Sequence, residues 1–468
     1  MTQIEKLEKL LPELLISTDP RTLKVKSRDY FWFSPILKPK LNKLVADAVV
    51  VPANEEQVKQ TLAACFELNI PVTPRGGGTG NYGQAMPLEG GIVLDLSQLN
   101  SVLEVKNGWF RAHSGILLVD INDAAKPHGL ELRQHPSTLE HATIGGFVAG
   151  GSGGLGSLRW GMLYEPGNIL GLRIVTMEKE PQVLDLAGEK AGLVHHAYGV
   201  NGVITEVKMA LGPTQDWVEV CASFKSWEAC LRAGEKLAGA QGLWLKEVAA
   251  IEAPAPTDYF TRHRKFYDVD DHLLCILSAP SSIEPLVSEL SASAGKTVYR
   301  SDQASEEEKE GLPPLHHLVW NHTTMQAIKE DRSITYLQVA FMADDQIAQA
   351  LEVADRFPKE VIGHVEFTRR GGRVNASFLP LIKVASNDRL REVIQELADM
   401  GCPDYSPHHY TLEEGGRADA LTDQLALKNL YDPKGLLNPG KIIAWEQPDY
   451  RYNPNEDYVY SRSREAVS

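Results

Sequence analysis

The sequence predicts an α+β fold of more than one domain, and three observations predict it. Its 468 residues are too many for one small core and give a soft expectation of about three domains. Residues 46–73 run as apolar strand, capped helix and apolar strand, the order of an α/β unit. Beyond Gly212-Pro213 the glycine clusters thin out, and strands followed by helices recur without glycine loops, the texture of a second α+β domain.

Composition narrows the classes of function. Apolar residues make up 43% and charged residues 23%, ordinary values for a folded chain and wrong for a disordered one. Lys plus Arg number 47 against 62 Asp plus Glu, a net charge of −15, which argues against nucleic acid or an anionic membrane surface as a main partner. No two of Cys65, Cys221, Cys230, Cys275 and Cys402 stand in a C-x-x-C spacing, which removes a zinc ribbon, a thioredoxin motif and a ferredoxin-type cluster. An odd, scattered set reads as reduced thiols in a reducing compartment. Residues 1–15 show no basic-then-apolar leader pattern, and no apolar run approaches the ~18 residues of a membrane span. The reading is a cytoplasmic protein without a transmembrane segment.

The elements follow in order. Residues 1–15 read as an amphipathic helix with Glu5, Lys6, Glu8 and Lys9 on its wet side, and 27–39 as an ordered, irregular aromatic arm. Residues 46–51, ended by Pro52, read as a buried strand. Asn54 caps a helix over 55–68 with Val58, Leu62, Cys65 and Phe66 on one stripe, and 70–73 is a second strand. A strand over 92–96 precedes a hairpin of 102–105 and 109–113 around Asn107-Gly108. A helix over 117–128 and strands over 169–177, 183–186 and 203–211 close this half. Beyond Pro213 the pattern predicts strands over 217–224, 273–277 and 334–341 and helices over 227–239, 283–293 and 345–357.

Two glycine-rich stretches stand out. Gly78-Thr79-Gly80-Asn81-Tyr82-Gly83 and Gly151-Ser152-Gly153-Gly154-Leu155-Gly156 both fit G-x-G-x-x-G. A dinucleotide fingerprint must open a helix toward the pyrophosphate. The first is followed by Pro87 and Gly90-Gly91 and the second by Arg159-Trp160-Gly161, so neither shows a helical stripe; no Gly-Lys-Ser/Thr makes a Walker loop. What remains is two loops of unhindered backbone N–H groups, suited to gripping a diphosphate from two sides.

At these residues a resemblance emerges. Pro74-Arg75-Gly76-Gly77-Gly78-Thr79-Gly80-Asn81 resembles the first FAD pyrophosphate loop of the vanillyl-alcohol oxidase family, the PCMH-type FAD-linked oxidoreductases. Thr143-Ile144-Gly145-Gly146 with Gly150, Gly153 and Gly154 is similar to the second loop, Gly167-Asn168-Ile169-Leu170-Gly171-Leu172 to the strand after it, and Tyr431-Asp432-Pro433-Lys434-Gly435-Leu436-Leu437-Asn438-Pro439-Gly440-Lys441 to the C-terminal signature. Taken together the motifs span about 46–443, and they most resemble the branch that includes the flavin-binding chain of glycolate oxidase and the D-lactate dehydrogenases. The resemblance implies an N-terminal helix and arm (1–40), a two-subdomain FAD-binding domain (41–213), an α+β cap over the flavin (214–430) and a C-terminal segment returning to the FAD domain (431–468). It also implies bound FAD, with residues 75–81 on the pyrophosphate. Pro136, Ser137, Thr138 and 143–146 are implied on the ribityl and isoalloxazine side, and Asn201, Gly202, Val203 and Ile204 toward the adenine or the ring. Thr79 stands where histidyl-linked relatives carry the His, and 135–146 hold no cysteine, so the FAD is expected to be non-covalent.

The implied activity is oxidation of a small 2-hydroxy acid by hydride transfer to flavin. That chemistry needs a cation for the carboxylate and a base for the hydroxyl proton. Residues 316–324, 363–373 and 408–417 hold six of the fourteen histidines, His316, His317, His322, His364, His408 and His409. The expected clamp is Arg369 or Arg373 and the expected base His364, His408 or His409. The relatives carry a Gly-His, a Gly-Asp-Gly-Asn-x-His and a Glu-His-Gly that together hold a divalent metal. Here Gly363-His364 matches the first His, but Asn375 stands where the second belongs. In Glu413-Glu414-Gly415, Glu413 matches the ligand and Glu414 replaces the base. Two positions depart from the pattern, so no metal ligand is assigned; a replacement set drawing on His408 or His409 stays open. Three alternatives stand beside this reading: a sugar, lactone or alcohol oxidase of the same fold, a flavin-holding protein that relays electrons within a complex, and a flavin-free structural protein. The electron acceptor, whether oxygen, a quinone or a protein, is not named by the sequence.

Overall fold

A computed structural model describes residues 1–405, 407–417, 421–451, Tyr458 and Tyr460, without the side chains of 416 and 417. Arg417 in the third histidine-bearing segment, and most of 452–468, therefore lie outside the described side chains.

The first half holds two sheets. One is four-stranded, in the order Leu15–Ser17, Ala48–Val51, Ile92–Asp95, Val72–Arg75, with the last three parallel. The helix Glu55–Leu68 is the crossover; Asn54 Oδ1 accepts from Gln57 N, and Asn69 at φ +52 ends it. The other sheet is antiparallel and built around the long strand Val203–Pro213, which pairs with Trp109–His113, Ile169–Val175 and Leu130–Leu132. Each sheet has its own core: Val58, Leu62, Ile92 and Leu94 in the first, Phe110, Ile121, Phe147 and Val207 in the second.

The second half is a seven-stranded antiparallel sheet in the order Lys296–Arg300, Val218–Phe224, His272–Ser278, Leu245–Ile251, His364–Arg370, Arg373–Phe378, Val339–Ala340. Helices including Trp227–Gly239 and Gln346–Arg356 cover one face, where Val365 and Phe367 are buried. Because a strand alternates its side chains, His364, Glu366, Thr368 and Arg370 point to the other face. Residues 436–438 return to the first half. Val72 N donates to Leu436 O, Asn438 N donates to Val72 O (both 2.8 Å), and Lys441 Nζ donates to Gly83 O at 2.6 Å.

Several expected elements differ. The first helix covers only Gln3–Leu10; the chain then turns and supplies the edge strand Leu15–Ser17. The arm is regular in part, with a 3-10 turn at Phe31–Phe33 and a helix at Leu37–Leu41. Residues 334–341 divide into Ile334–Tyr336 and Val339–Ala340, which belong to different sheets. The second glycine stretch is not all loop. Thr143 caps a helix over Ile144–Gly150 that Gly151 ends at φ +68, and Ser157–Trp160 adds one turn after Gly156. Glycine disfavours a helix by about 1 kcal/mol per residue; burial of Ile144, Phe147 and Val148 outweighs it.

Candidate active site

A cavity of about 540 Å³ opens between the halves, within the roughly 300–1,000 Å³ of small-molecule sites. Thr79, Gly80 and Asn81, then Pro136, Ser137 and Thr138, then Gly146, Gly150 and Gly153 form one wall. Trp320, Asn321, His322, Gln338, Ser377 and Arg370 form the facing wall, with Tyr30 and Phe33 of the arm at the side. The two walls are tied together: Asn81 Nδ2 donates to Tyr336 Oη at 2.6 Å, Gln338 Nε2 donates to Tyr82 Oη, and Thr335 Oγ1 donates to Phe33 O at 2.9 Å.

Part of the expected cofactor set lies behind the wall. A Cβ on Gly76 would stand 2.0 Å from Thr143 Oγ1, and one on Gly77 2.2 Å from His141 O, so the two glycine loops are in direct contact. Arg75 is buried beneath them, its Nη1 donating to Arg28 O at 2.5 Å and its charge facing Asp29 and Asp95. Pro74 and Gly78, at φ +65 against the Arg75 guanidinium, share that layer. Ile144 is in the core, Gly145 packs on Ser114, and Gly154 packs on the His135 carbonyl. Residues 201–204 do not reach the cavity. Asn201 Nδ2 donates to Leu193 O, and Val203 and Ile204 are buried in the two sheet cores.

The expected catalytic residues are placed differently from the sequence reading. Arg369 points to the helix-covered face and is consumed by the main chain, donating to Leu158 O (3.2 Å), Ala238 O (3.2 Å) and Gly372 O (3.0 Å). Arg373 is exposed beside the Gly371-Gly372 turn. His364 is fully buried, with Nε2 2.7 Å from Glu366 Oε1 and Nδ1 3.2 Å from Leu379 O; burial lowers its pKa to about 4. His408 lies with Nδ1 2.7 Å from Ser34 Oγ, and His409 Nδ1 is 3.4 Å from Glu414 Oε2. Glu414 accepts from Thr411 Oγ1 (2.7 Å) and Tyr458 N (3.0 Å). These three stand outside the cavity wall, which takes only Gly415 from their segment. The metal pattern is not assembled among the described residues. His364 faces Glu366, the Asn375 amide meets Gln346 and Ser377, and Glu413 Oε1 accepts from Ala444 N.

The facing wall carries residues that the sequence reading did not select. Arg370, one residue along the strand from Arg369, lines the cavity with its Nε buried and unpartnered among the described residues. Strand parity was the available signal. Asn321 Oδ1 and His322 Nδ1 are likewise buried without partners among the described residues. Burial, and the neighbouring His317, lower the His322 pKa to about 4. Beneath them Trp320, at φ +54, is pinned by two buried carboxylates: its N donates to Glu366 Oε1 at 2.5 Å and its Nε1 to Glu247 Oε2 at 3.0 Å. Burial raises both acids, and the neighbouring Glu366 raises Glu247 further.

The wall suits FAD on the structure's own terms. Bare main chain faces the cavity at Gly146 and Gly150, and a Cβ on Gly153 would crowd the Trp320 ring at 2.9 Å. Residues 46–183 match the FAD binding domain family. The chain is an FAD-dependent oxidoreductase related to glycolate oxidase and D-lactate dehydrogenase. It is 27% identical to the glycolate oxidase subunit GlcD of Escherichia coli (strain K12) over 432 residues, covering 84% of this chain and 83% of that protein. It is 25% identical to the D-lactate dehydrogenase of Archaeoglobus fulgidus over 424 residues, 84% of this chain and 91% of that one. The fold matches 4-ethylphenol oxidase from Gulosibacter chungangensis with a TM-score of 0.69 at 15% identity, over 94% of this chain and 97% of that one. No helix among the described residues is long and apolar enough to cross a membrane.

Proposed function

We propose that this FAD-linked oxidoreductase oxidises a small 2-hydroxy acid to the 2-oxo acid. The observation that carries the reading is Arg370: a cation on the cavity wall whose buried Nε has no partner among the described residues, in a chain of net charge −15. An arginine fork suits a carboxylate. His322 lines the same wall and in this reading accepts the hydroxyl proton, while Asn321 and Ser377, which also line it, orient the acid. FAD, when bound, supplies the hydride acceptor. The seven-stranded half then serves as the cap, residues 79–81, 136–138 and 146–153 hold the cofactor, and no side chain at the position of Thr79 binds it covalently. Two relatives are named for glycolate and D-lactate, both 2-hydroxy acids, which supports the same class.

The test is anaerobic bleaching of the flavin by glycolate and by D- and L-lactate in the wild type, Arg370→Met and His322→Gln. Loss of two charge-assisted hydrogen bonds, about 1.5–3 kcal/mol each, predicts that Arg370→Met lowers kcat/KM by roughly a hundredfold or more. An Arg370→Met enzyme within threefold of wild type contradicts the assignment.

A further inference from the structure

A second cluster of ligating side chains lies where the two halves meet, next to the cavity and apart from the His364, Asn375 and Glu413 positions. Glu140 comes from the segment between the glycine loops; His316 and His317 end the 3-10 turn Leu315–His317 of the seven-stranded half. His316 Nε2 is 2.8 Å from Glu140 Oε1, and His317 Nε2 is 3.6 Å from Glu140 Oε2. One donor atom from each residue lies within 4.8 Å of the other two.

A hydrogen-bonded ion pair explains only half of this arrangement. His316 meets the carboxylate at hydrogen-bond distance, but His317 does not, although its Nε2 points at the second oxygen. Two imidazole nitrogens and a carboxylate converge without bonding one another in full. Ligands of a tetrahedral zinc ion, each about 2.0–2.2 Å from the metal, stand about 3.3–3.6 Å apart; the two nitrogens here approach different oxygens of the carboxylate, at 2.8 and 3.6 Å. The rings are held at this angle by packing: His316 and His317 are edge to face at 4.5 Å, and His322 abuts His317 at 4.9 Å. All three side chains keep partial solvent exposure, 38% for Glu140, 15% for His316 and 32% for His317, so an ion can enter and a fourth position stays open.

We propose that Glu140, His316 and His317 bind one divalent transition-metal ion of the zinc type. Two imidazoles and one carboxylate suit zinc, nickel or iron(II) and disfavour magnesium or calcium, which want all-oxygen shells. The ion joins the segment between the glycine loops to the seven-stranded half and so latches the walls of the cavity together. The inference concerns metal binding and holds or fails independently of the 2-hydroxy acid reading.

The test uses the full chain with its FAD. The protein is stripped with EDTA, re-equilibrated with zinc chloride, and passed through a desalting column. Zinc is then counted by mass spectrometry, flavin by absorbance, and thermal unfolding is followed with and without zinc. The expected result is one zinc per chain and a higher melting temperature that EDTA reverses, as binding to the folded state alone requires. Changing groups around a metal's ligands already costs 10–100-fold in affinity. Glu140→Gln and the double variant His316→Gln/His317→Gln should therefore bind zinc at least about a hundredfold more weakly at unchanged flavin content. Zinc retention by the wild type no greater than by Glu140→Gln, or a wild-type melting temperature that zinc does not raise, overturns the proposal.

Discussion

Two glycines of the glycine-rich loops should fail in opposite ways when each gains a methyl group. A Cβ on Gly77 would lie 2.2 Å from the His141 carbonyl oxygen and 3.3 Å from its carbon, so backbone must move. Overpacking of this kind costs about 1–3 kcal/mol, and it falls on the protein itself, because the methyl group meets main chain. Gly150, in contrast, has nothing within 4 Å and ends the helix Ile144–Gly150 on the cavity wall. Alanine there is neutral or slightly stabilising to the fold, by up to about 1 kcal/mol, and projects into the space assigned to FAD. In FAD-free protein, Gly77→Ala should therefore lower the melting temperature by several degrees, at about 2–4 °C per kcal/mol for a domain of roughly 200 residues. Gly150→Ala should leave it within a degree or two. Titration with FAD should show Gly150→Ala binding at least tenfold more weakly. If Gly150→Ala binds FAD as the wild type does, the cavity wall is not the cofactor site. If Gly77→Ala melts like the wild type, the two loops do not pack as described.

Other outcomes follow from neighbouring residues. Arg369→Met removes donors from three main-chain carbonyls, so it should cost about 2–4 kcal/mol of stability while changing anaerobic flavin reduction less than threefold; a large catalytic loss with normal stability would contradict its structural role. Burial raises the Glu252 pKa to about 7, although Gly363 N donates to it at 2.6 Å. The unfolded chain loses that proton near 4.5, so this group makes the fold less stable as pH rises from about 4.5 to 7, by roughly 1–3 kcal/mol in all. Glu252→Gln should accordingly gain on the wild type in urea denaturation at pH 7.5 relative to pH 5, and an equal difference at both pH values would contradict the burial effect. If the FAD is held without a covalent bond, as proposed, it should leave the chain on acid precipitation; yellow colour retained in the washed pellet would contradict this.

Local signals make much of the first half legible. Asn54 caps the helix Glu55–Leu68 at the residue expected, and Asn107-Gly108 joins strands Val102–Lys106 and Trp109–His113 as an antiparallel hairpin. The glycine stretches that line the cavity stand out because they are dense and paired. The hairpin His364–Arg370 and Arg373–Phe378 is hard to read, because its strand carries His364, Glu366 and Thr368 where an alternating pattern would place surface residues, yet all three are buried. That same difficulty displaces the expected clamp. Without the strand, Arg369, Arg370 and Arg373 look equivalent, whereas parity sends Arg369 to carbonyls, Arg370 to the cavity, and the turn leaves Arg373 in water. The role of Glu247 and Glu366 under Trp320 has no local signal at all. It depends on contacts between residues 46 and 73 positions apart.

The most direct test of the central claim is the anaerobic visible spectrum of the purified protein, before and after a panel of D- and L-2-hydroxy acids and the matching alcohols without a carboxylate. The expected result is a flavin band that at least one acid bleaches and that its alcohol counterpart leaves intact. A protein that takes up no FAD, or a band bleached equally by acid and alcohol, would contradict it.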